Sequence, residues 1–294
     1  MTGDPEGAVT GVRDGRYAGI TGLSVEIVDG VATVTIDNPP INLFTIEVFL
    51  AMADLVDRLA VDEAVRVVVL RSANPEFFIA HFDVAAILTF PTDAAPATEL
   101  GAYHRMCETL RTMPKVTIAV IEGRVGGGGS ELALSCDMRF AVLPHGDHPG
   151  GVLSQPEVAL GIIPGGSGTV RLPRLIGRSR ALEVMLGCDD VPAATAEAWG
   201  WVNRALPVDE LWPFVNRLTQ RISSFPVHAV AAAKAAVLRA EGDVEPDLIA
   251  EATAFAATLG GHGTAAAMRR FLALGGQTRD GEIRLGALAG ELSD

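Results

Sequence analysis

The sequence predicts an α/β fold with largely parallel strands, closed by a helical C-terminal region. Two observations carry this. Short apolar, β-branched runs alternate with segments of helical period as far as about residue 210. Beyond Glu210 the strand patterns vanish and only helical ones follow.

Taken in order, residues 24–28 and 31–37 alternate apolar and polar positions about Asp29-Gly30, the pattern of a hairpin. Asn38-Pro39-Pro40 stops the second strand, because proline cannot donate to a ladder. Over residues 45–59 the period is helical, with Val48, Met52, Leu55, Val56 and Leu59 on one face. Residues 65–70 (VRVVVL) form a short run of the kind buried on both faces. A helix over 98–112, a second buried strand over 116–122, a glycine-rich turn, a helix over 130–136 and a strand over 138–142 follow. Residues 90–97 and 144–151 read as loops from their Pro, Gly, Asp and His content. The later helical patterns lie at 212–223, 228–240, 246–259 and 263–274. The expected organisation is a mobile tail over 1–20, an α/β core over 21–210 and a helical region over 211–294.

The net charge of −13 argues against nucleic acid as a partner, since phosphates need a basic face. It argues equally against docking on anionic lipid. No apolar run reaches the ~18 residues that a membrane span needs, and the acidic, Gly-rich N-terminus has no apolar signal core. Cys107, Cys136 and Cys188 are widely spaced and odd in number, so they build no metal spacing or disulfide framework. They read as buried, reduced thiols of a cytoplasmic protein.

Two motifs carry chemistry. The first is Gly126-Gly127-Gly128-Gly129-Ser130-Glu131, between a buried strand and a helix. Without Cβ atoms a ligand can approach the backbone closely. The first N–H groups of a helix are unpaired, and its dipole favours negative charge there. Such a turn cradles an anion or a developing oxyanion, or is simply a tight strand-to-helix turn. It is neither a dinucleotide fingerprint nor a Walker loop. The second motif is Ser154-Gln155-Pro156-Glu157, followed by the Gly-rich run from Gly161 to Thr169. Glu157 is a surface carboxylate or, if brought beside Glu131 in an apolar cleft, half of a pair with separated pKa values.

These residues resemble the crotonase superfamily, the enoyl-CoA hydratase/isomerase family. The matching pieces are Pro114-Lys115, residues 126–137, Gln155-Pro156-Glu157, residues 161–174 and Trp199-Gly200-Trp201-Val202-Asn203. Asn38-Pro39-Pro40-Ile41-Asn42 and residues 77–87 align as well, so the likeness runs from about Ser24 onward. The resemblance implies a spiral of ββα turns with a helical C-terminal region that builds trimers or a dimer of trimers. It implies an acyl-CoA thioester substrate and no cofactor, coenzyme A being part of the substrate. An oxyanion hole would come from the backbone N–H groups of Gly128 and Phe82, with Glu131 and Glu157 as the catalytic acids around one water. Leu43, Ala80, His81, Asp83, Val84, Gly127, Pro156 and Gly165 would contact substrate.

The departures are local. Where the family has F-x-A-G-A-D, this chain has Phe78-Ile79-Ala80-His81-Phe82-Asp83, with His81 for the glycine and Phe82 for the alanine. A narrower loop is expected there, with the φ/ψ that glycine could take either strained or replaced. His81 takes either a structural or a catalytic role. Residues 144–151, with His145, Asp147 and His148, form an insertion between the two glutamates, a solvated loop or a metal site. The C-terminus lacks the family's lysine-bearing tail. Arg171, Arg174, Arg178 and Arg180 read as a solvated face or subunit contact. The function expected is hydration of an enoyl-CoA double bond or the reverse dehydration. The rivals are isomerisation or thioester hydrolysis on the same fold, and acyl-CoA binding without turnover.

Overall fold

The computed structural model describes residues 15–293. Of the expected tail, residues 1–14 lie outside this span. Gly15–Tyr17 forms a 3-10 turn with Tyr17 buried, its hydroxyl donating to Asp62 at 2.7 Å, so the folded body begins before residue 20.

Among the described residues the strands are β1 (Leu23–Val28), β2 (Val31–Ile36), β3 (Val67–Ser72), β4 (Phe77–Ile79), β5 (Val116–Ile121), β6 (Arg124–Gly126), β7 (Met138–Val142), β8 (Val152–Ser154), β9 (Val191–Pro192) and β10 (Arg204–Leu206). They form two sheets, ordered β1-β2-β3-β5-β7-β10 and β4-β6-β8-β9. Only β1 with β2 and β8 with β9 pair antiparallel. Asp29 and Gly30 both have positive φ (49° and 79°), as the tight β1–β2 turn requires.

Successive turns of chain give one strand to each sheet and then a helix. β3 and β4 lead to helix Ala102–Thr112, β5 and β6 to helix Gly127–Leu134, and β7 and β8 to helix Gly168–Ile176. This is the spiral of ββα turns that the resemblance implied. The continuous apolar runs are explained by burial on both faces. Val68 and Leu70 join the core that holds helix Ile46–Val61, while Val67 and Val69 join the core beneath helix Val208–Ser224. Helix Ile46–Val61 buries Val48, Met52, Leu55, Val56 and Leu59 as its period demands, a contribution of roughly 1.5–3 kcal/mol apiece. Thr45 caps it, accepting from the Val48 N–H at 3.3 Å.

Some boundaries differ from expectation. The helix expected over 130–136 begins at Gly127, inside the glycine run, and the one expected over 98–112 begins at Ala102, after an N-capping Gly101. β4, β6 and β8 have three residues each, too few to show a period; β6 lies in the segment read as a glycine-rich turn, and the other two lie where no element was expected. Cys107, Cys136 and Cys188 are buried and unbonded. No helix among the described residues is long and apolar enough to cross a membrane. The chain ends with helices Val227–Ala240, Glu245–Leu259 and Thr264–Ala273, then short helices Arg279–Glu282 and Leu285–Gly290. Met268, Phe271, Leu285 and Leu288 pack back onto Val84, Ile87, Leu160 and Ile162.

Candidate active site

The second sheet decides where the site lies. β4, β6 and β8 run parallel and adjacent, with Ile79 opposite Val125 and Val125 opposite Leu153. Phe82 lies three residues past Ile79, Gly128 three past Val125 and Glu157 four past Leu153. Residues remote in sequence therefore meet at equivalent points on neighbouring turns. The carboxyl ends of parallel strands are where α/β folds build sites.

Phe82 is held by a strand-like bridge to Phe44. The His81 carbonyl accepts from the Phe44 N–H at 2.9 Å, and the Asp83 N–H donates to the Phe44 carbonyl at 3.1 Å. In a trans peptide N–H and C=O point oppositely, so the Phe82 N–H faces away from Phe44. Neither His81 nor Phe82 has a positive φ. Of the two outcomes expected for the lost glycine, its conformation is replaced rather than strained, because the bridge needs only extended backbone.

Gly128 lies in the first turn of its helix, where an N–H has no carbonyl behind it in the helix. A Cβ there would lie 3.2 Å from the Phe82 Cβ and 3.6 Å from the Phe82 nitrogen, so the two loops touch. The neighbouring glycines serve the protein's own packing rather than ligand access. A Cβ on Gly129 would sit 2.6 Å from the Ile79 Cβ, and one on Gly127 would sit 2.8 Å from the Glu157 Oε1.

Glu131, one helical turn beyond Gly128, is buried, and its Oε1 accepts from the Gly166 N–H at 2.7 Å and the Gly168 N–H at 2.8 Å. Burial raises its pKa well above the usual carboxylate range, the charges of Glu157 and Glu251 add to this, and the two N–H groups oppose it. Glu157 opens the 3-10 turn Glu157–Leu160. Burial pushes its pKa up to about 7, against its own backbone N–H and His81, with Glu251 adding a smaller push. Gln155, with its amide nitrogen turned toward it, donates to the Glu157 Oε2 at 3.0 Å. Of such a pair one member keeps its proton beyond the pH at which an ordinary carboxylate has lost it, as acid–base chemistry requires.

Both glutamates line one cavity of about 260 Å³. Phe82, Gly128, Gly165 and Gly166 contribute to the same wall, and the remainder is Phe49, Ile87, Phe90, Tyr103, Ile162, Ile163 and Phe255. The Tyr103 hydroxyl donates to the Gly128 carbonyl at 2.5 Å. Sequence reasoning missed these apolar side chains and Tyr103, because nothing in their spacing distinguishes a cavity wall from core.

The other expected contact residues sit around the cavity rather than in its lining. Leu43 packs with Ile41, Phe77 and Ala80, Pro156 precedes the Glu157 turn, and Asp83 caps helix Val84–Ile87, whose Val84 is core. The His81 ring points away, toward Glu282 at 3.0 Å. Arg171, read as surface or subunit contact, is instead buried and donates to Ser167 Oγ at 2.9 Å and to Glu108. In the 144–151 loop, His145 and His148 stack at 4.9 Å. Among the described residues no group of three His, Cys, Asp or Glu is placed to hold a metal.

The sequence profile of the enoyl-CoA hydratase/isomerase family matches residues 26–272. The chain belongs to this family. It is 32% identical over 236 residues to the crotonyl-CoA hydratase of Syntrophomonas wolfei, covering 79% of this chain and 88% of that one. A Streptomyces avermitilis protein solved as a candidate enoyl-CoA hydratase superposes with a TM-score of 0.83 at 35% identity, covering 93% and 98%. An enoyl-CoA hydratase from Mycobacterium avium subsp. paratuberculosis gives 0.75 at 27%, covering 86% and 99%. This family member is thus an enoyl-CoA hydratase/isomerase-like enzyme with the crotonase fold.

Proposed function

We propose that the chain adds water across the double bond of an enoyl-CoA thioester, or runs the reverse dehydration. The observation that carries this reading is the convergence of Glu131, Glu157, Phe82 and Gly128 on one apolar cavity. The thioester oxygen accepts from the N–H groups of Phe82 and Gly128, which stabilise the enolate as negative charge builds there. Of the two glutamates, the ionised one takes a proton from water as its oxygen bonds to Cβ. The protonated one delivers its proton to Cα, so no net proton is consumed. The largely apolar walls offer few competing hydrogen-bonding groups beside the reacting atoms, which strengthens each of these interactions. A trimer or dimer of trimers, in a reducing compartment such as the cytoplasm, fits the same reading.

The test is loss of enoyl-thioester absorbance across acyl groups of differing length and branching. Glu131→Gln and Glu157→Gln should each lower kcat by about 10²-fold or more while the fold persists. If either variant retains more than about a tenth of the rate, the two-acid mechanism is wrong and single-base isomerisation takes its place.

A further inference from the structure

We infer that the buried pair His81–Glu282, outside the cavity, positions the Phe82 donor and backs it with positive charge. The inference rests on the reading above, in which the Phe82 N–H receives the thioester oxygen.

The ring of His81 and the carboxylate of Glu282 are 5% and 1% exposed. Nδ1 lies 2.7 Å from the Phe82 carbonyl and Nε2 lies 3.0 Å from the Glu282 Oε1. A carbonyl oxygen only accepts, so Nδ1 carries a proton. The same Glu282 oxygen accepts from the Gln277 N–H at 2.8 Å, so Nε2 donates as well. A ring that donates at both nitrogens is an imidazolium. Burial alone would lower the pKa of His81, but the Glu282 charge and hydrogen bond, with the Phe82 carbonyl, raise it to about 9. Burial would raise Glu282, but the His81 charge and hydrogen bond, the Gln277 N–H and the Arg124 charge together outweigh it and hold the carboxyl below its usual range.

The position of this charge matters. In an extended residue the N–H and C=O lie on the same edge. An oxygen that approaches the Phe82 N–H therefore also meets the negative end of the Phe82 carbonyl. His81 Nδ1–H satisfies that carbonyl and places a cation beside the developing oxyanion. The loop has little room to shift, since a Cβ on Gly127 would lie 3.1 Å from the His81 Cβ. The C-terminal segment clasps its far side, where Gln277 Nε2 donates to Asp83 Oδ1 at 2.9 Å. The charges that act on His81 are Glu282 from helix Arg279–Glu282 and Glu157 from the turn after β8. Arg124 of β6 acts on Glu282 from behind, and is itself paired with Asp190 at 2.5 Å. The ring stacked edge-on to His81 is the uncharged Phe271, at 5.7 Å.

The experiment is the pH dependence of enoyl-CoA hydration for the wild type, His81→Gln and Glu282→Gln, alongside ¹⁵N NMR of the histidine rings in the wild type. The wild-type kcat should fall above about pH 9 as His81 loses its proton. Glu282→Gln keeps a hydrogen-bonding group but not the charge, and should move that limb down by about one pH unit or more. His81→Gln should lower kcat about tenfold or more, less than loss of a direct donor, with KM changed less than kcat. Unchanged kcat and an unchanged alkaline limb in both variants would overturn the inference. So would a neutral His81 ring at pH 7.5 by NMR, a result that needs no variant to fold. Absence of wild-type turnover on any enoyl-CoA sinks the hydratase reading instead, while the NMR still decides the charge of the pair.

Discussion

Glu157 shows what burying a carboxylate for chemistry does to stability. The folded group titrates at about 7 against an ordinary 4.5. Between those values the folded chain binds the extra proton, so stability falls as pH rises, and above pH 7 the whole penalty stands. Its size is of the order of 3 kcal/mol. Glu157→Gln should therefore raise stability by about 1–3 kcal/mol at pH 8, a gain that shrinks to near zero by pH 4.5. Urea unfolding at the two pH values checks this, and an equal effect at both would contradict it. His81 also has a raised folded value, but as a base its contribution is stabilising. That contribution is full below about 6.5 and is lost as pH rises through about 9. Phe82 carries a different consequence. Its ring lies in the cavity wall, 6.1 Å from Phe49 and 6.2 Å from Phe90. Phe82→Ala removes that bulk but not the backbone N–H. It should widen tolerance for long acyl chains by about 1–3 kcal/mol in kcat/KM while turnover of a short substrate survives.

The loop from Gly165 to Thr169 divides its N–H groups by alternation. Gly166 and Gly168 donate to Glu131, whereas Ser167 and Thr169 donate to Glu251 of helix Glu245–Leu259, at 2.6 and 2.9 Å. Glu251 also meets His104 of helix Ala102–Thr112 at 3.1 Å. Ser167 has a φ of 101°, a conformation that costs a side-chain-bearing residue about 1–3 kcal/mol. Glu251 thus holds a strained loop against its own relaxation and keeps the anchors of Glu131 in place. Glu251→Ala leaves the two N–H groups, the Thr169 hydroxyl that also donates to Glu251, and His104 without their partner. It should destabilise the protein by about 3–5 kcal/mol in urea. A loss below about 1 kcal/mol would show that the loop holds its shape unaided.

At the scale of the molecule, the helical region leaves apolar surface uncovered. Helix Val227–Ala240 buries none of its residues, and Phe225, Val227 and Val237 are 45%, 51% and 66% exposed. A groove of about 790 Å³ runs beneath it, lined in part by Leu175, Ile222, Phe225 and Val230. Surface of this kind is covered in assemblies, and a head-to-tail contact that closes makes a ring. Light scattering at micromolar concentration should give a mass near three or six chains of 30.7 kDa. Val237→Asp should shift it toward the single chain. A monomeric wild type would refute the assembly.

The sequence by itself determined the alternation of buried strands and helices, the hairpin at Asp29-Gly30 and the buried face of helix Ile46–Val61. These are local patterns, since one period of burial is written into each contiguous run. It was the family resemblance carried by its motifs that singled out Gly128, Glu131 and Glu157, since each motif by itself also fitted a tight turn or a surface carboxylate. Only the tertiary structure decided that these residues share a cavity. Their meeting depends on β4, β6 and β8, whose three-residue ladders have no period to read and exist only because neighbouring turns of the spiral pair. The same holds for His81. The sequence marked it as a departure in the loop, but its partner Glu282 lies 201 residues away. A buried imidazole and a buried carboxylate become a pair only when the fold removes water from both.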